Sequence, residues 1–140
     1  MVTFDEFICF RIGALSRRIY RHYNKEFARF GITVGQSFIL LDLLANASSN
    51  VKEIAGRLQL DSPAITGFVD RLAKEGLLER NDDPADRRSL RICLTDNGLE
   101  LARTLVPLAQ QFNERIKAVI ASEDLAAFER GLEVLENTLE

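Results

Sequence analysis

The sequence predicts a mainly α-helical chain carrying one small β-hairpin. Three observations point there. Apolar residues recur at steps of three and four over long stretches at both ends, the period of an amphipathic helix. In the middle, Asn50 and Ser62 each stand before a short run of the same period, and each brings the side-chain oxygen of a helix N-cap. Between Asp83 and Gly98 the chain sets turn residues, three arginines, a short apolar strand and a helix start side by side.

Taken in order, Ile8, Ile12, Leu15, Ile19, Tyr23, Phe27 and Phe30 form one stripe, so a first helix is expected up to Gly31, which stops it. A second helix follows over Thr33 to Ala45, with Phe38, Leu41 and Leu44 inward. Asn50, with Glu53 three residues on, resembles a capping box and opens a short helix through Ile54, Ala55 and Leu58. Ser62 can cap the next helix with Pro63 at its first helical position; Ile65, Phe68, Val69 and Leu72 face one way, and Gly76 ends it. Leu77 to Arg80 and Leu90 to Leu94 are expected as strands on either side of the turn at Asp83-Pro84, after which Thr95 caps a long helix with Asp96 in its first turn. That helix carries Leu99, Ala102, Leu105, Ala109, Phe112, Ile116 and Val119, with a kink expected at Pro107. A last helix carries Leu125, Phe128, Leu132, Leu135 and Leu139 at nearly heptad spacing. Two short helices, a tight turn and a basic hairpin are the order of a winged helix-turn-helix, whose second helix enters the major groove of DNA.

Composition narrows the alternatives. The chain has 140 residues, 46% of them hydrophobic, and a net charge of −3. One domain, 1–140, is expected. More apolar surface lies on the terminal helices than one small core needs, which favours a homodimer: 1–32 and 96–140 are expected as dimerisation helices around a DNA-binding region, 33–95. Those three segments carry six basic and three acidic side chains, eight and nine, and four and nine, giving +3, −1 and −5. The acidity lies mainly in the last segment, while Arg80, Arg87, Arg88 and Arg91 gather in the hairpin, and the local field sets the attraction for phosphate. No apolar run reaches 18 residues and no signal-peptide pattern is present, so a cytoplasmic location without membrane contact is expected. Two cysteines and one histidine make neither a disulfide framework nor a zinc set; no metal or cofactor is expected. With no nucleophile-base constellation and no Gly-rich phosphate loop, an enzyme is not expected.

Specific residues sharpen the picture. Leu60 to Leu72 (LDSPAITGFVDRL), the following Gly76-Leu77-Leu78-Glu79-Arg80, and Asp83-Pro84-Ala85-Asp86-Arg87-Arg88 with Leu94-Thr95 and Gly98 resemble the MarR family of bacterial transcription regulators, a likeness covering almost the whole chain. The resemblance implies a dimer that binds double-stranded DNA. It also implies that Asp86 orients Arg88 at the wing tip, with Arg91 as a further backbone contact. The face of the second short helix away from its apolar stripe carries Ser62, Ala64, Thr66, Gly67, Asp70 and Arg71, which with Pro63 would meet bases or phosphates. Many relatives have Arg or Lys where Gly67 stands, which shifts specificity toward Thr66, Arg71 and the wing; Arg87 and Arg88 can enter a minor groove or hold phosphate bidentately.

The resemblance further implies a small, often anionic aromatic effector, with Arg17, His22 and Tyr23 as candidate lining residues. Cys9, early in the first helix, is similar in place to the oxidised cysteine of the family's organic-hydroperoxide-sensing branch, although Gly13 and Val34 stand where that branch has its other tyrosines. For Cys93 packing is the default reading, and for Cys9 an apolar packing role stands ahead of redox sensing. For the wing arginines it is a solvated turn paired with Asp82, Asp83 and Asp86. For the whole chain it is a winged-helix module that binds protein instead of DNA.

Overall fold

A computed structural model describes residues 1–139, in two compact units: the chain through Leu105, and the chain from Val106 onward. After a 3-10 turn at Phe4–Glu6 the elements are α1 (Ile8–Phe27), a second 3-10 turn (Ala28–Phe30), α2 (Val34–Asn46), α3 (Val51–Leu58), α4 (Ser62–Lys74), β1 (Leu78–Asp82), β2 (Leu90–Leu94), α5 (Asp96–Ala118) and α6 (Ser122–Thr138). This is a mainly helical winged-helix fold with one two-stranded antiparallel sheet. No single helix is long and apolar enough to cross a membrane.

Several expectations are corrected. The first helix loses its α geometry at Phe27 rather than Phe30, tightening into the 3-10 turn before Gly31. Gly31 and Gly76 both take positive φ, 70° and 76°, which halts a helix without a Cβ clash. In α2 the fully buried apolar residues are Ile39, Leu40 and Leu43, while Phe38, Leu41 and Leu44 are half-buried, because this helix is covered on most of its circumference and a single-stripe pattern does not describe it. Its start is a true capping box: Thr33 Oγ1 accepts from the Gln36 N–H at 3.3 Å and Gln36 Oε1 accepts from the Thr33 N–H at 2.9 Å. Asn24 Oδ1 accepts the Val34 N–H at 2.7 Å, which ties the end of α1 to the same turn. Strand β1 reaches Asp82, two residues beyond expectation, since pairing with β2 in register Leu78↔Leu94 to Asp82↔Leu90 overrides the polar sequence Arg80-Asn81-Asp82.

The core of the first unit joins α2, α3, α4, β1 and β2 through Ile39, Leu40, Ile54, Ile65, Val69, Leu72, Leu78 and Ile92, all at most 3% exposed. Each such side chain contributes about 1.5–3 kcal/mol of burial. They fasten α4 to its scaffold along one face and leave its other face outward. Helix α5 is continuous through Pro107, which lacks the N–H that would bond the Arg103 carbonyl. In α6 no residue is buried, although Phe128, Leu132 and Leu135 share its apolar stripe; Leu139, expected on the same helix, stands just past its end in extended geometry.

Candidate nucleic-acid interface

The reading helix is fixed by its caps. Asn50 Oδ1 accepts from the Glu53 N–H at 2.8 Å and starts α3; Gln59, at φ 55° and ψ 42°, ends it and begins the tight turn. Asp61, not Ser62, then caps α4: its Oδ1 accepts from the Ala64 N–H at 2.8 Å, which places Ser62 and Pro63 inside the first turn. Both residues can satisfy a cap in principle, and the extended backbone of Asp61 (φ −75°, ψ 155°) decides between them. Ser62, Pro63, Thr66, Gly67, Asp70 and Arg71 are exposed and Ala64 is half-buried, opposite the buried Ile65, Val69 and Leu72. The sequence-derived outer face is therefore the solvent face of α4. Arg71 lies 3.7 Å from Glu75 one turn on, with its side chain 69% exposed. Asp70 is ion-paired to Arg80 of β1.

The wing loop is built from two aspartates that bond the main chain. Asp83 Oδ1 accepts from the Ala85 N–H, and Asp86 Oδ1 from the Arg88 N–H, each at 2.9 Å. Asp86 thus bonds the backbone under Arg88, and among the described residues no ion pair joins its carboxylate to the Arg88 guanidinium. Among the described residues neither Arg87 nor Arg88 has a carboxylate within ion-pair distance, so the pairing with Asp82, Asp83 and Asp86 is not formed, and two exposed cations project from a bonded loop. Arg91 differs. Its guanidinium meets Ser48 Oγ at 3.1 Å, the Ser48 carbonyl, and Glu53 at 3.2 Å and 3.3 Å, so it is tied to neighbouring segments of the chain. Nothing local to the sequence signals those partners, which lie 43 and 38 residues away.

The base of the wing is locked to α5. Thr95 N–H donates to the Leu77 carbonyl at 3.1 Å, Thr95 Oγ1 donates to the Gly76 carbonyl at 2.6 Å and accepts from the Gly98 N–H at 3.1 Å. A Cβ on Gly98 would lie 1.9 Å from the Leu77 oxygen. The Thr-x-x-Gly spacing in the sequence has this cause: the cap needs the threonine, and the close approach of the α4–β1 turn excludes any side chain.

The effector candidates are not brought together. Cys9, Arg17 and His22 are exposed and Tyr23 is half-buried, its ring stacked on Phe27 at 5.9 Å and its phenol pushed up by burial. At about 100° per residue Arg17, His22 and Tyr23 point to three sides of α1, and Tyr23 lies roughly 21 Å along the helix from Cys9. Within one chain they form no shared pocket, and Tyr23 does not reach the Cys9 thiol. A groove along the first turns of α5, lined by Asp96, Leu99, Glu100, Arg103 and Thr104, includes none of them.

A capped reading helix with a bare outer face, followed by a hairpin with free cations at its tip, defines a winged-helix protein. The family model described as the MarR family matches residues 32–90, which hold α4, β1 and the wing loop. The organic hydroperoxide resistance transcriptional regulator of Bacillus subtilis strain 168 is 30% identical over 117 residues, covering 79% of this chain and 80% of that protein. Among solved structures, a MarR transcriptional regulator from Methanosarcina mazei Go1 superposes with a TM-score of 0.82 at 27% identity, over 96% of this chain and 97% of that one. The S. aureus MepR–DNA complex gives 0.88 at 21% identity, over 96% and 100%. The chain belongs to the MarR family of transcriptional regulators.

Proposed function

We propose that the chain, a DNA-binding transcriptional regulator by its family, works as a two-fold dimeric repressor in the cytoplasm and leaves its operator when a small-molecule or oxidative signal arrives. The dimer lays the two α4 helices in successive major grooves of a palindromic duplex, about one turn or ~34 Å apart. Ser62, Pro63, Ala64, Thr66, Gly67 and Arg71 face the bases and phosphates there, and Arg87 and Arg88 of each wing reach the flanking groove. The observation that carries this reading is the pair of unpartnered arginines held on a loop whose own aspartates are spent on the main chain. Residues 33–95 form the reading region, and 1–32 and 96–140 supply the dimer contacts. The apolar stripe of α6 and the exposed Ile8, Ile12 and Leu15 of α1 support that division. Gel shift and footprinting on the DNA flanking the coding region test it; a protected palindrome is expected, and a folded protein that shifts no fragment would favour a protein-interaction module instead.

The releasing signal is read as a small aromatic or anionic compound. A second reading, oxidation of Cys9 by an organic hydroperoxide, is supported by the name of the Bacillus relative and by the exposure of the thiol. One titration separates them: peroxide should weaken DNA binding reversibly and Cys9→Ser should abolish that response, whereas phenolic acids should act alike on both forms.

A further inference from the structure

The link between α2 and α3 is held from two sides. Ala47 enters it at φ 58° and ψ −91°, near a strained γ-turn that non-glycine residues rarely adopt. Ser49 then pairs with β2 as a one-residue third strand, its N–H donating to the Ile92 carbonyl at 3.1 Å and its carbonyl accepting from the Ile92 N–H at 2.8 Å. On one side Arg57 holds Ser49 Oγ at 2.6 Å and Asp42 at 2.7 Å and 2.8 Å. On the other, Arg91, beside Ile92 on β2, holds Ser48 and Glu53. All three of its guanidinium nitrogens are engaged: Nε on Ser48 Oγ, Nη1 on Glu53, Nη2 on the Ser48 carbonyl. Its side chain is 26% exposed. A phosphate contact would have to share the guanidinium with these partners, through the N–H groups left over on Nη1 and Nη2.

We propose that Arg91 is a positioning residue for DNA binding, one that clamps the wing strand to the start of α3 and so sets where Arg87 and Arg88 stand relative to α4. The inference rests on the DNA-binding reading above, and it removes Arg91 from the phosphate contacts that the family resemblance implies. Binding groups have to be held within about 0.5 Å of their productive place, and Arg91 adds to the buried Leu78 and Ile92 and the Ser49 bridge a polar tie between β2 and the start of α3. Lysine cannot replace it, because a point ammonium does not span the acceptors that a planar fork reaches.

The full-length protein tests this with Arg91→Ala, Arg91→Lys, Glu53→Gln, Arg88→Ala and Arg88→Ala/Arg91→Ala, the conservative variants standing in if Arg91→Ala fails to fold. Amide exchange of Ser49 and Ile92 should rise about tenfold in the Arg91 and Glu53 variants, with Leu40 and Ile65 unchanged. On a duplex selected from a random pool by the wild-type protein, affinity should fall about tenfold with an unchanged salt slope, and Arg88→Ala should cost less when Arg91 is already gone. Unchanged exchange at Ser49 and Ile92 would overturn the clamp, whatever happens with DNA. A salt slope reduced by about one, with Arg91→Lys retaining affinity or the two arginines behaving additively, would make Arg91 a phosphate ligand and overturn its positioning role. A wild-type protein that selects no duplex would overturn the DNA-binding reading and the positioning role with it, while the exchange measurement would still decide the clamp.

Discussion

Asp86 and Arg88 show how one short hydrogen bond changes the meaning of a motif. Because Asp86 bonds the Arg88 N–H, its removal should loosen the loop and scatter the arginine, so Asp86→Ala should weaken operator binding despite deleting a negative charge near phosphate. Arg88→Ala should cost about 1–3 kcal/mol and, if it meets a phosphate, lower the salt slope by about one. Affinities at two salt concentrations check both; tighter binding by Asp86→Ala would reduce the acid to a repulsive surface charge. Two glycines make an opposite pair. Gly98→Ala would drive a Cβ into the Leu77 carbonyl and should cost on the order of 3 kcal/mol in urea unfolding. Gly67→Ala meets open space on the outer face of α4 and should stabilise by about 1 kcal/mol, so any loss of DNA binding there would report contact and not folding.

At the level of elements, the ends of α4 decide how its face is presented. Asp61→Ala should cost about 1 kcal/mol of stability by freeing the Ala64 N–H, whereas Ser62→Ala should leave stability nearly unchanged; thermal unfolding of the two variants checks the assignment. Much of the architecture is legible from local chemistry: Asn50 and Thr95 are caps because their side chains have an N–H to accept three residues on, and Asp83-Pro84 can only turn. Less legible are choices between neighbours of equal chemistry, such as Asp61 over Ser62. Strand β1 extends over Asn81 and Asp82 because its partner supplies the hydrogen bonds, and no alternation in its own residues announces that. Least legible is the grip of Arg91 on Ser48 and Glu53, which depends on a fold that brings distant segments together. In the candidate site, the outer face of α4 follows from helical periodicity, but the main-chain bond of Asp86 does not, since a sequence pattern names a pair of residues without saying which atoms meet.

For the whole molecule, the apolar stripe of α6 sets the strongest expectation. Leu132→Glu should leave a folded chain that light scattering finds as a monomer at micromolar concentration, with operator affinity lost because two reading helices are needed on a palindrome. A Leu132→Glu protein that stays dimeric would place the assembly surface elsewhere. The charge pattern agrees with division of labour along the chain: the segment after Thr95 carries nine acids against four bases, so it would repel a phosphate backbone that the wing attracts.

If the proposed dimer forms through the apolar face of α6, the regulator also becomes a counter of its own copies. Below the concentration at which half the chains are paired, the number of pairs grows with the square of the number of chains, so halving expression cuts the paired form about fourfold. The genes it governs would then respond to its abundance more steeply than to any monomeric binder of equal affinity, and a change in its synthesis rate would act as a signal of its own.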